Sequence, residues 1–345
     1  MPASVSSALR TCPVPSRVPA PSTPNTPAHT PPHNPAHTPV LLAHCLTVLA
    51  PGTRPNETYL DCTAGLGGHA AAIAARMQPG STIILNDADA ANLALAQAHV
   101  ARAAPQSTIR THHGNFAAVC HALAAWKLPA DMLLADLGFA SNHVDDGLRG
   151  FSFKRDGPLD MRMNVSEGPT AADLVATLSE AELTRVLLEY GEERAARNIA
   201  RKLVDVRRRS PILTTGQLAD VVRGVVPFNP AKGGIDPATR TFQALRIAVN
   251  DELGSLEALL LAIEDGVKQV RLGKEGWLRP GARVAIISFH SLEDRAVKQA
   301  FARLVKAGCV DLTKGCMTAD ESEAASNPRA RSAKLRAIRL PASSA

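Results

Sequence analysis

The sequence predicts an α/β fold in which an inserted block of helices divides a mostly parallel sheet. From Thr58 to Ala135, short apolar or β-branched runs alternate with alanine-rich helical windows. This alternation stops after Gly138 and resumes only near Ala282, with helical periodicity between. Repeated strand–helix units joined by short connections are typical of a parallel sheet covered on both faces. A helical block between two halves of one sheet domain is best interpreted as an insertion.

The elements of the two sheet halves follow in order. The predicted strands are Thr58–Cys62, Ser81–Leu85, Thr108–His112, Met132–Ala135 and Ala282–Ser288, with Leu335–Leu340 as a final edge strand. The predicted helices are Ala70–Met77, Ala90–Arg102, Phe116–Trp126 and Leu292–Val305.

The inserted block has helix signals of its own. Ser179 and Glu182 have the spacing of a capping box, and Gly191 is a natural helix stop. Further helices are predicted at Glu192–Arg209, at Thr215–Val222 and, as one long helix, at Thr239–Val270. We therefore divide the chain into a disordered proline-rich extension (residues 1–36), a first sheet-domain part (37–141), an inserted loop and helical domain (142–235) and a second sheet-domain part (236–340).

Composition narrows the classes of protein. The chain is 45% hydrophobic and 20% charged, as in ordinary globular proteins. It has no apolar run near the length of a membrane span, so no membrane partner is expected. Its six cysteines include no Cys-x-x-Cys pair, which argues against a zinc site and favours the reducing cytoplasm. The net charge of +6 permits a polyanionic partner.

The first 36 residues contain ten prolines and no acidic residue. The absence of acids resembles an organellar transit peptide, but the prolines would break an amphipathic helix. A segment of this composition cannot bury enough apolar surface to offset its ordering entropy, so we expect disorder.

A glycine-rich turn, Asp61–His69, stands where the first strand gives way to a helix. Glycines suit such a turn, and the helix start offers unpaired N–H groups to a ligand. The glycines alone fit a dinucleotide or S-adenosylmethionine. Asp61 favours S-adenosylmethionine, because a carboxylate here would meet an amino group favourably and a pyrophosphate unfavourably. Asp87, at the end of the next strand, can accept both ribose hydroxyls.

The third and fourth strand ends complete a predicted nucleoside pocket. Phe116 follows the third strand and could pack on an adenine face, although an aromatic side chain here is as often core. Asp136-Leu-Gly-Phe139 ends the fourth strand. It partly matches the Asp/Asn-Pro-Pro-Tyr/Phe motif of methyltransferases that modify exocyclic amino groups, keeping the acid and the aromatic residue.

Longer motifs outside the turn are more specific. The segment RGFSFKRDGPLDMRM (Arg149–Met163) closely resembles the bacterial ribosomal RNA small-subunit methyltransferase H family, also called MraW. Five further blocks agree: His37–Leu41, Gly191–Arg194, Pro237–Ile247, Ser288–Arg295 and Asn327–Lys334. The resemblance covers about residues 37–340. It implies a Rossmann-like class I S-adenosylmethionine-dependent methyltransferase domain with an inserted helical domain, acting on the N4 amino group of a cytidine in the 16S rRNA decoding centre.

The same resemblance implies cofactor-binding residues. Positions that contact S-adenosylmethionine in the family are matched here by Gly67, Gly68, His69, Asp87, Phe116 and Asp136. A seventh position departs from the family pattern, since His143 stands where a glutamine is usual. The expected partner is 16S rRNA within the small ribosomal subunit, and a homodimer is left open.

The chemistry requires an acceptor for the amino hydrogens of cytosine, and we take Asp136 as the catalytic candidate, with Asp156 and Asp160 as rivals. The base must also leave its stack. Phe151 and Phe153 could stack that base or could anchor the loop. Two basic runs are candidate RNA contacts or solvated surface: Arg194, Arg197, Arg201, Lys202, Arg207, Arg208 and Arg209, and then Arg329, Arg331, Lys334, Arg336 and Arg339. His290, beside the presumed helix cap Ser291, lines the pocket or has a structural role.

Two other function classes compete with this interpretation. A nicotinamide-dependent oxidoreductase could use the same glycine turn, but Asp61 and the lack of a Tyr-x-x-x-Lys pair oppose it. An RNA-binding assembly factor without catalysis is the second alternative, opposed by the intact turn and its acids.

Overall fold

The computed structural model describes residues 39–228 and 234–342, so the expected extension at residues 1–36 lies outside the described residues. Two compact units are present, one of residues 141–162 and 169–251, the other of residues 39–140, 163–168 and 252–342. They are called here the helical unit and the sheet unit. Among the described residues, no helix has the length and apolar character needed to cross a bilayer.

The sheet unit alternates strands with helices. Its strands are β1 (Thr58–Asp61), β2 (Thr82–Asp87), β3 (Thr108–His113), β4 (Ala130–Asp136), β5 (Leu278–Ser288), β6 (Val310–Asp311) and β7 (Lys334–Arg339). Its helices are α1 (Leu42–Leu49), α2 (Gly68–Ala74), α3 (Ala90–Ala103), α4 (Val119–Trp126), α11 (Glu252–Arg271), α12 (Ser291–Lys306) and α13 (Glu321–Ser326).

The seven strands form one sheet in the order β3-β2-β1-β4-β5-β7-β6. The first five strands of that order run parallel, and β7 pairs antiparallel with both β5 and β6. This order confirms the predicted Rossmann-like class I methyltransferase fold. It also corrects one detail, because β7 was expected at the edge and instead lies inside the sheet. The short β6 that covers it carries too little sequence pattern to be predicted.

The two faces of the sheet are buried in separate cores. On β1, Tyr59 belongs to the core that includes α1, α2 and α3, while Leu60 belongs to the core that includes α4, α11 and α12. On β4, Met132 and Leu133 divide between the same two cores. This alternation is the period of two of a β-strand, and burial of both sides explains why these strands are apolar throughout.

The strand order places a ligand-binding position at one edge. Strand β1 pairs with β2 on one side and β4 on the other, so the chain reverses direction across the sheet at β1. In open α/β sheets, ligands bind beyond the carboxyl ends of the strands at such a switch point. The residues that end β1, β2 and β4 are Asp61, Asp87 and Asp136.

The helical unit contains α5 (Ser141–Asp145), α6 (Ala171–Thr177), α7 (Glu180–Gly191), α8 (Ala196–Arg207), α9 (Thr215–Arg223) and α10 (Ala238–Asn250). The predicted capping box of α7 is confirmed, since Ser179 and Glu182 exchange their side-chain and backbone bonds. Gly191 is the last residue of α7, where a Cβ would lie 2.7 Å from the Arg240 carbonyl oxygen. That contact brings α7 against α10.

The predicted single helix Thr239–Val270 was wrong. Asp251 adopts a left-handed conformation with φ of 48°, which ends α10 before α11 begins. The apolar spacing continues across the break, so periodicity alone did not reveal it. The helical unit consequently extends to residue 251, whereas the predicted insertion ends at 235; α10 belongs to the helical core through Phe242 and Leu245.

Candidate functional site

Three carboxylates lie at the carboxyl ends of adjacent parallel strands in the sheet unit. Register places Asp61 beside Leu85 of β2 and Leu134 of β4, while Asp87 and Asp136 extend beyond those pairs. The glycine-rich turn begins directly after Asp61. The sequence therefore brings one flexible backbone segment and three acids to a single sheet edge.

The turn depends on glycine at two of its positions. Gly65 and Gly67 have φ of 51° and 81°, in the left-handed region. A Cβ on Gly67 would lie 2.8 Å from Cα of Ala96 and 3.1 Å from its carbonyl oxygen, so α3 leaves no room for a side chain. Gly68, the first residue of α2, faces Pro39, whose Cγ would be 2.6 Å from a Cβ there. A side chain at Gly67 would therefore collide with α3, and one at Gly68 would collide with the Pro39 ring.

Asp87 fastens the turn to the second strand. Its Oδ2 accepts the Gly65 N–H at 2.7 Å, and its Oδ1 accepts the Asp89 N–H at 2.8 Å. The side chain remains partly exposed. The contact of Asp87 with the ribose hydroxyls of a cofactor stays a prediction.

Asp61 has a different environment from the one expected. Its Oδ2 accepts the Tyr59 hydroxyl at 2.9 Å, its Oδ1 accepts the Thr63 N–H at 3.1 Å, and the residue is only 1% exposed. It therefore has no exposed carboxylate to meet a ligand amino group directly. Burial raises the pKa of Asp61 to about 7; hydrogen bonds from Tyr59 and Thr63 oppose the rise, and the charge of Asp87 adds to it.

This pKa predicts a loss of stability as pH rises. Between the ordinary aspartate value of 3.8 and about 7, the folded chain holds a proton on Asp61 that the unfolded chain has released. The contribution of Asp61 to the free energy of unfolding therefore falls across that window, by a few kcal/mol at most on the scale of roughly 1.4 kcal/mol per pKa unit. We expect the unfolding midpoint to fall less between pH 5 and 7.5 in Asp61→Asn than in the unmodified chain. Equal pH dependence of the two proteins in denaturant titrations would contradict this assignment.

Asp136, the last residue of β4, has the features of a proton-accepting carboxyl group. Its backbone N–H donates to Oγ1 of Thr63 at 2.7 Å, which fixes the end of β4 against the glycine turn. Its side chain is 27% exposed, and among the described residues its buried Oδ1 has no hydrogen-bond partner. Burial, together with the charges of Asp61 and Glu293, raises its pKa well above the ordinary value. Asp136 is thus a carboxylate poised to hold a proton.

The other predicted cofactor residues are placed as follows. His69 is buried in α2 and contacts the Val40 carbonyl and Asp136. Phe116 begins a short 3₁₀ turn after β3 and is half-buried against the core of α4, α11 and α12, which leaves part of the ring open. His143 lies in the helical unit, 3% exposed and stacked on Phe151 with ring centroids 5.0 Å apart. Its assignment to the cofactor stays a prediction.

Asp156 and Asp160, the two alternative candidates for the proton acceptor, form hydrogen bonds within the helical unit. Asp156 accepts the Gly216 N–H at 2.7 Å at the start of α9, and that bond above all lowers its pKa. Asp160 forms a bidentate pair with Arg162, at 2.8 and 2.7 Å, which holds its pKa below the ordinary value despite partial burial. Neither is suited to accept a proton near neutral pH.

Phe151 and Phe153, the two aromatic residues of the loop, pack against other side chains of the helical unit. Phe153 packs edge-to-face on Phe242 with ring centroids 4.8 Å apart, and the Arg223 guanidinium carbon lies over the Phe153 ring, 5.6 Å from its centroid. Phe151 stacks on His143. Of the two alternatives, packing within the helical unit accounts for both rings.

The two basic runs differ in the structure. In the C-terminal run, Lys334 and Arg336 both pair with Asp294, at 3.2 and 2.8 Å, and Arg336 is buried in β7. The run around α8 is mostly exposed. Its cations without an ion pair among the described residues are Arg194, Arg197, Lys202 and Arg209; Arg201 and Arg208 pair loosely with Glu180 and Asp205.

One cluster of the sheet unit has the composition of a metal site, although no metal was predicted. Glu252, His290 and Glu293 each bring one potential ligand atom within 4.8 Å of the others. Glu293 already accepts the N–H groups of Phe289 and His290, at 2.8 and 3.3 Å, in the capping box of α12. Helix capping accounts for this geometry. His290 itself is the N-cap, a place the sequence had assigned to Ser291.

Two site residues escaped sequence analysis. Thr63 holds the backbone of Asp136, and Asn86 donates to the Cys62 carbonyl oxygen at 2.7 Å while its Oδ1 lies 2.7 Å from Nδ1 of His112. Its position directly before Asp87, at the end of β2, could have pointed to Asn86. A buried side-chain amide at such a position can bridge neighbouring strands.

The donor set distinguishes between cofactor classes. Three carboxylates, two of them with raised pKa values, would be stabilised by a cation and destabilised by a pyrophosphate. S-adenosylmethionine carries a sulfonium and an ammonium group. The Oδ1 of Asp136, which has no hydrogen-bond partner among the described residues, and the half-buried ring of Phe116 both fit that cofactor.

Comparison with known proteins gives concordant results. A family model described as the MraW methylase family matches residues 34–340. The chain is 44% identical over 316 residues to ribosomal RNA small subunit methyltransferase H of Symbiobacterium thermophilum, covering 87% of this chain and 95% of that relative. It is 45% identical over 303 residues to the protein of the same name from Syntrophotalea carbinolica, covering 83% and 92%.

Proposed function

The chain belongs to the MraW methylase family, and from that premise we propose that it methylates the N4 amino group of a cytidine in the decoding centre of small-subunit 16S rRNA, with S-adenosylmethionine as donor. The names of its relatives support the rRNA substrate. The observation that carries the choice of chemistry is Asp136, a strand-end carboxylate with a raised pKa at the switch point of the sheet, whose Oδ1 has no hydrogen-bond partner in the described part of the chain.

The proposed reaction requires orientation more than activation by a strong base. The lone pair of an exocyclic cytosine amine is delocalised into the ring, so the nitrogen must lie in line with the methyl group, roughly 3 Å away. When bound, S-adenosylmethionine would supply a methyl group from its sulfonium sulfur, which leaves as a neutral thioether. Asp87 would hold the ribose hydroxyls, Phe116 the adenine face, and the Gly67–Gly68 backbone the remaining contact surface. Asp136 would accept an amino hydrogen of the base.

The exposed face of α8 supports an RNA partner. Arg197 and Lys202 lie on this face without an ion pair among the described residues, while the opposite face contributes Ile199 and Leu203 to the helical core. Unpaired cations on a rigid helix can each neutralise a phosphate and release counterions. We propose that α8 contacts rRNA.

Charge reversal on α8 should therefore weaken rRNA binding. For Arg197→Glu with Lys202→Glu, we expect the KM for small subunits to rise about tenfold or more, and the salt dependence of binding to become shallower by roughly two phosphate contacts. The matched control reverses two exposed cations of the sheet unit, Lys268 and Lys298. If the control raises KM as much as the α8 variant, net charge rather than α8 governs binding.

The proposed function is tested by incubating the full chain with methyl-labelled S-adenosylmethionine and unmodified small subunits or naked 16S rRNA. Label in the rRNA is expected, and S-adenosylhomocysteine but not NAD should raise the unfolding temperature. Stabilisation by NAD would favour the oxidoreductase. Binding to subunits with no label transferred would favour an assembly factor without catalysis.

The five described cysteines are free thiols, four of them buried, which suits the cytoplasm, where we propose the enzyme acts. Homodimer formation stays a prediction, to be measured by light scattering.

A further inference from the structure

A cavity of about 450 Å³ lies in the sheet unit, where the first part of β5 meets the end of β7. The Gly281 N–H donates to the Pro341 carbonyl oxygen at 2.8 Å, and both residues line the cavity. Two arginines, Arg54 and Arg339, belong to the same lining, which includes no acidic residue of the described chain. Strand β5 runs parallel to β4, so the cavity lies towards the amino ends of these strands, away from the edge that carries Asp136.

Arg339, the last residue of β7, has another arginine as its cross-strand neighbour. It stands directly opposite Arg283 in the antiparallel β5–β7 pair, and directly opposite side chains project from the same face of a sheet. Arg283 is buried and already paired, because it donates to Oε1 of Glu57 at 2.9 Å and to the Ala50 carbonyl oxygen at 2.7 Å. Arg339 is exposed and has no ion pair among the described residues. Like charges placed opposite each other are destabilising, so an anion beside Arg339 would stabilise this pair.

Arg54, in the loop after α1, brings a second guanidinium to the cavity. Its Nη2 lies close to the backbone of β5, since a Cβ on Gly281 would be only 3.1 Å away from it. Its Nη1 forms a loose pair with Oδ1 of Asp131 at 3.7 Å, and its side chain is 51% exposed. Arg279 pairs with Asp131 more closely, at 3.3 Å. Four arginines of this region thus face two carboxylates, Glu57 and Asp131, and the cavity keeps a positive charge.

The chemistry of the lining fits a phosphate group. Guanidinium groups present N–H donors in a planar fork that matches phosphate oxygens, and two of them can hold one group from two sides. Arginines on a protein surface are usually only solvated. Here two of them, from distant parts of the sequence, meet at one cavity beside the apolar side chains of Val310 and Pro341. These apolar side chains offer a surface to the organic part of a phosphate compound, and the volume lies in the usual range for small-molecule sites, roughly 300–1,000 Å³.

We propose that this cavity is a phosphate-binding site in which Arg54 and Arg339 donate to the phosphate oxygens. The phosphate belongs to the backbone of an RNA partner or to a free phosphate compound, and the chemistry of recognition is the same for both. The site lies roughly 20 Å from the edge proposed for methyl transfer, which is the rise of β5 from Gly281 to Ser288. The phosphate is therefore remote from the reacting base. The RNA source rests on the proposed function, whereas the phosphate site itself does not.

The test removes both guanidiniums, in Arg54→Gln with Arg339→Gln. The full chain is titrated with inorganic phosphate at constant ionic strength, by calorimetry. We expect saturable binding to the unmodified chain and a dissociation constant at least about tenfold higher in the double variant, because charge-assisted hydrogen bonds carry the binding. The matched control is Arg76→Gln with Arg102→Gln, which removes the same charge from two other exposed positions of the sheet unit. Its dissociation constant should stay within about twofold of the unmodified value, since salt screens distant charges.

A second arm identifies the source of the phosphate. Binding of a uridine oligoribonucleotide of about ten nucleotides is measured over a series of salt concentrations. If RNA supplies the phosphate, the double variant should bind this RNA at least about fivefold more weakly than the control variant, with a salt dependence shallower by about one phosphate contact. Equal RNA affinities of the two variants, with phosphate binding lost only in the double variant, would assign the site to a free phosphate compound.

Stability separates ligand binding from a structural role. In phosphate-free buffer, Arg339→Gln should leave the unfolding temperature unchanged or raise it slightly, because it removes the charge opposite Arg283. A clear fall would show that Arg339 has a structural role and would overturn the site. So would phosphate binding that is absent from the unmodified chain, retained in the double variant, or lost equally in the control. A chain that binds phosphate but transfers no methyl group would overturn the proposed function and leave this site standing.

Discussion

Replacing Asp136 by asparagine is expected to lower the rate of methyl transfer by at least about 100-fold, the lower range of general-base effects. Asparagine keeps the size of the side chain and can still accept a hydrogen bond, but it cannot take a proton. The backbone N–H of residue 136 should still donate to Thr63, so the end of β4 stays in place. The measurement is the single-turnover rate with small subunits, alongside the dissociation constant for S-adenosylhomocysteine.

The matched control is Asp131→Asn, at the other end of the same strand. Asp131 is a buried carboxylate that accepts the Thr58 N–H at 2.9 Å and pairs with Arg279. Its replacement should lower the unfolding temperature without a specific loss of turnover. If Asp136→Asn retained both turnover and cofactor affinity, Asp136 would not be the proton acceptor.

Replacing Gly67 by alanine should have the largest effect on stability and on cofactor affinity together. A Cβ at this position meets the backbone of α3 at 2.8 Å, and its φ of 81° is strained for any residue with a side chain. We expect a loss of several kcal/mol in the free energy of unfolding, roughly 1–2 from the left-handed conformation and 1–3 from overpacking. Because α3 or the turn must move, S-adenosylhomocysteine binding should weaken by about tenfold or more.

Gly65→Ala is the matched control, because it has the cost of the left-handed backbone without the steric clash that Gly67→Ala has with Ala96. Gly65 is also left-handed, but the nearest atom to its Cβ would be Cβ of Ala140 at 3.8 Å. Only the conformational cost of about 1 kcal/mol is expected there. Denaturant titration of both variants gives the comparison. Equal free energies of unfolding for the two variants would show that the approach of Ala96 does not decide the turn.

Local pattern in the sequence was sufficient for the sheet but not for some of its ends. Alternating apolar or β-branched runs and alanine-rich windows located β1 to β5. Strands β1 and β4 are apolar because both of their faces are buried, whereas β3 is largely exposed and was located by its β-branched residues. The break at Asp251 could not be found this way, since one residue in a left-handed conformation leaves the spacing of apolar residues intact. The two-residue β6 has no pattern of its own.

For the site residues, the sequence predicted their places at the strand ends better than their burial and their hydrogen-bond partners. The strand-end location of Asp87 and Asp136 follows from sequence, but the burial of Asp61 depends on Tyr59, which folds its hydroxyl back two residues along the same strand. The roles of the two basic runs could not be predicted either, because they depend on which acidic residues the fold brings near. Lys334 and Arg336 pair with Asp294, forty or more residues away in sequence. Arg197 and Lys202 on the exposed face of α8 have no ion pair among the described residues.

Identification of the methylated atom decides whether this chain is a cytosine-N4 methyltransferase. Small subunits lacking the modification would be treated with the full chain and labelled S-adenosylmethionine, and the 16S rRNA digested to nucleosides and mapped fragments for mass spectrometry. One product is expected, N4-methylcytidine at one position of the decoding centre, and Asp136→Asn should abolish it. A methyl group on a ring carbon, a ribose hydroxyl or a different base would contradict it.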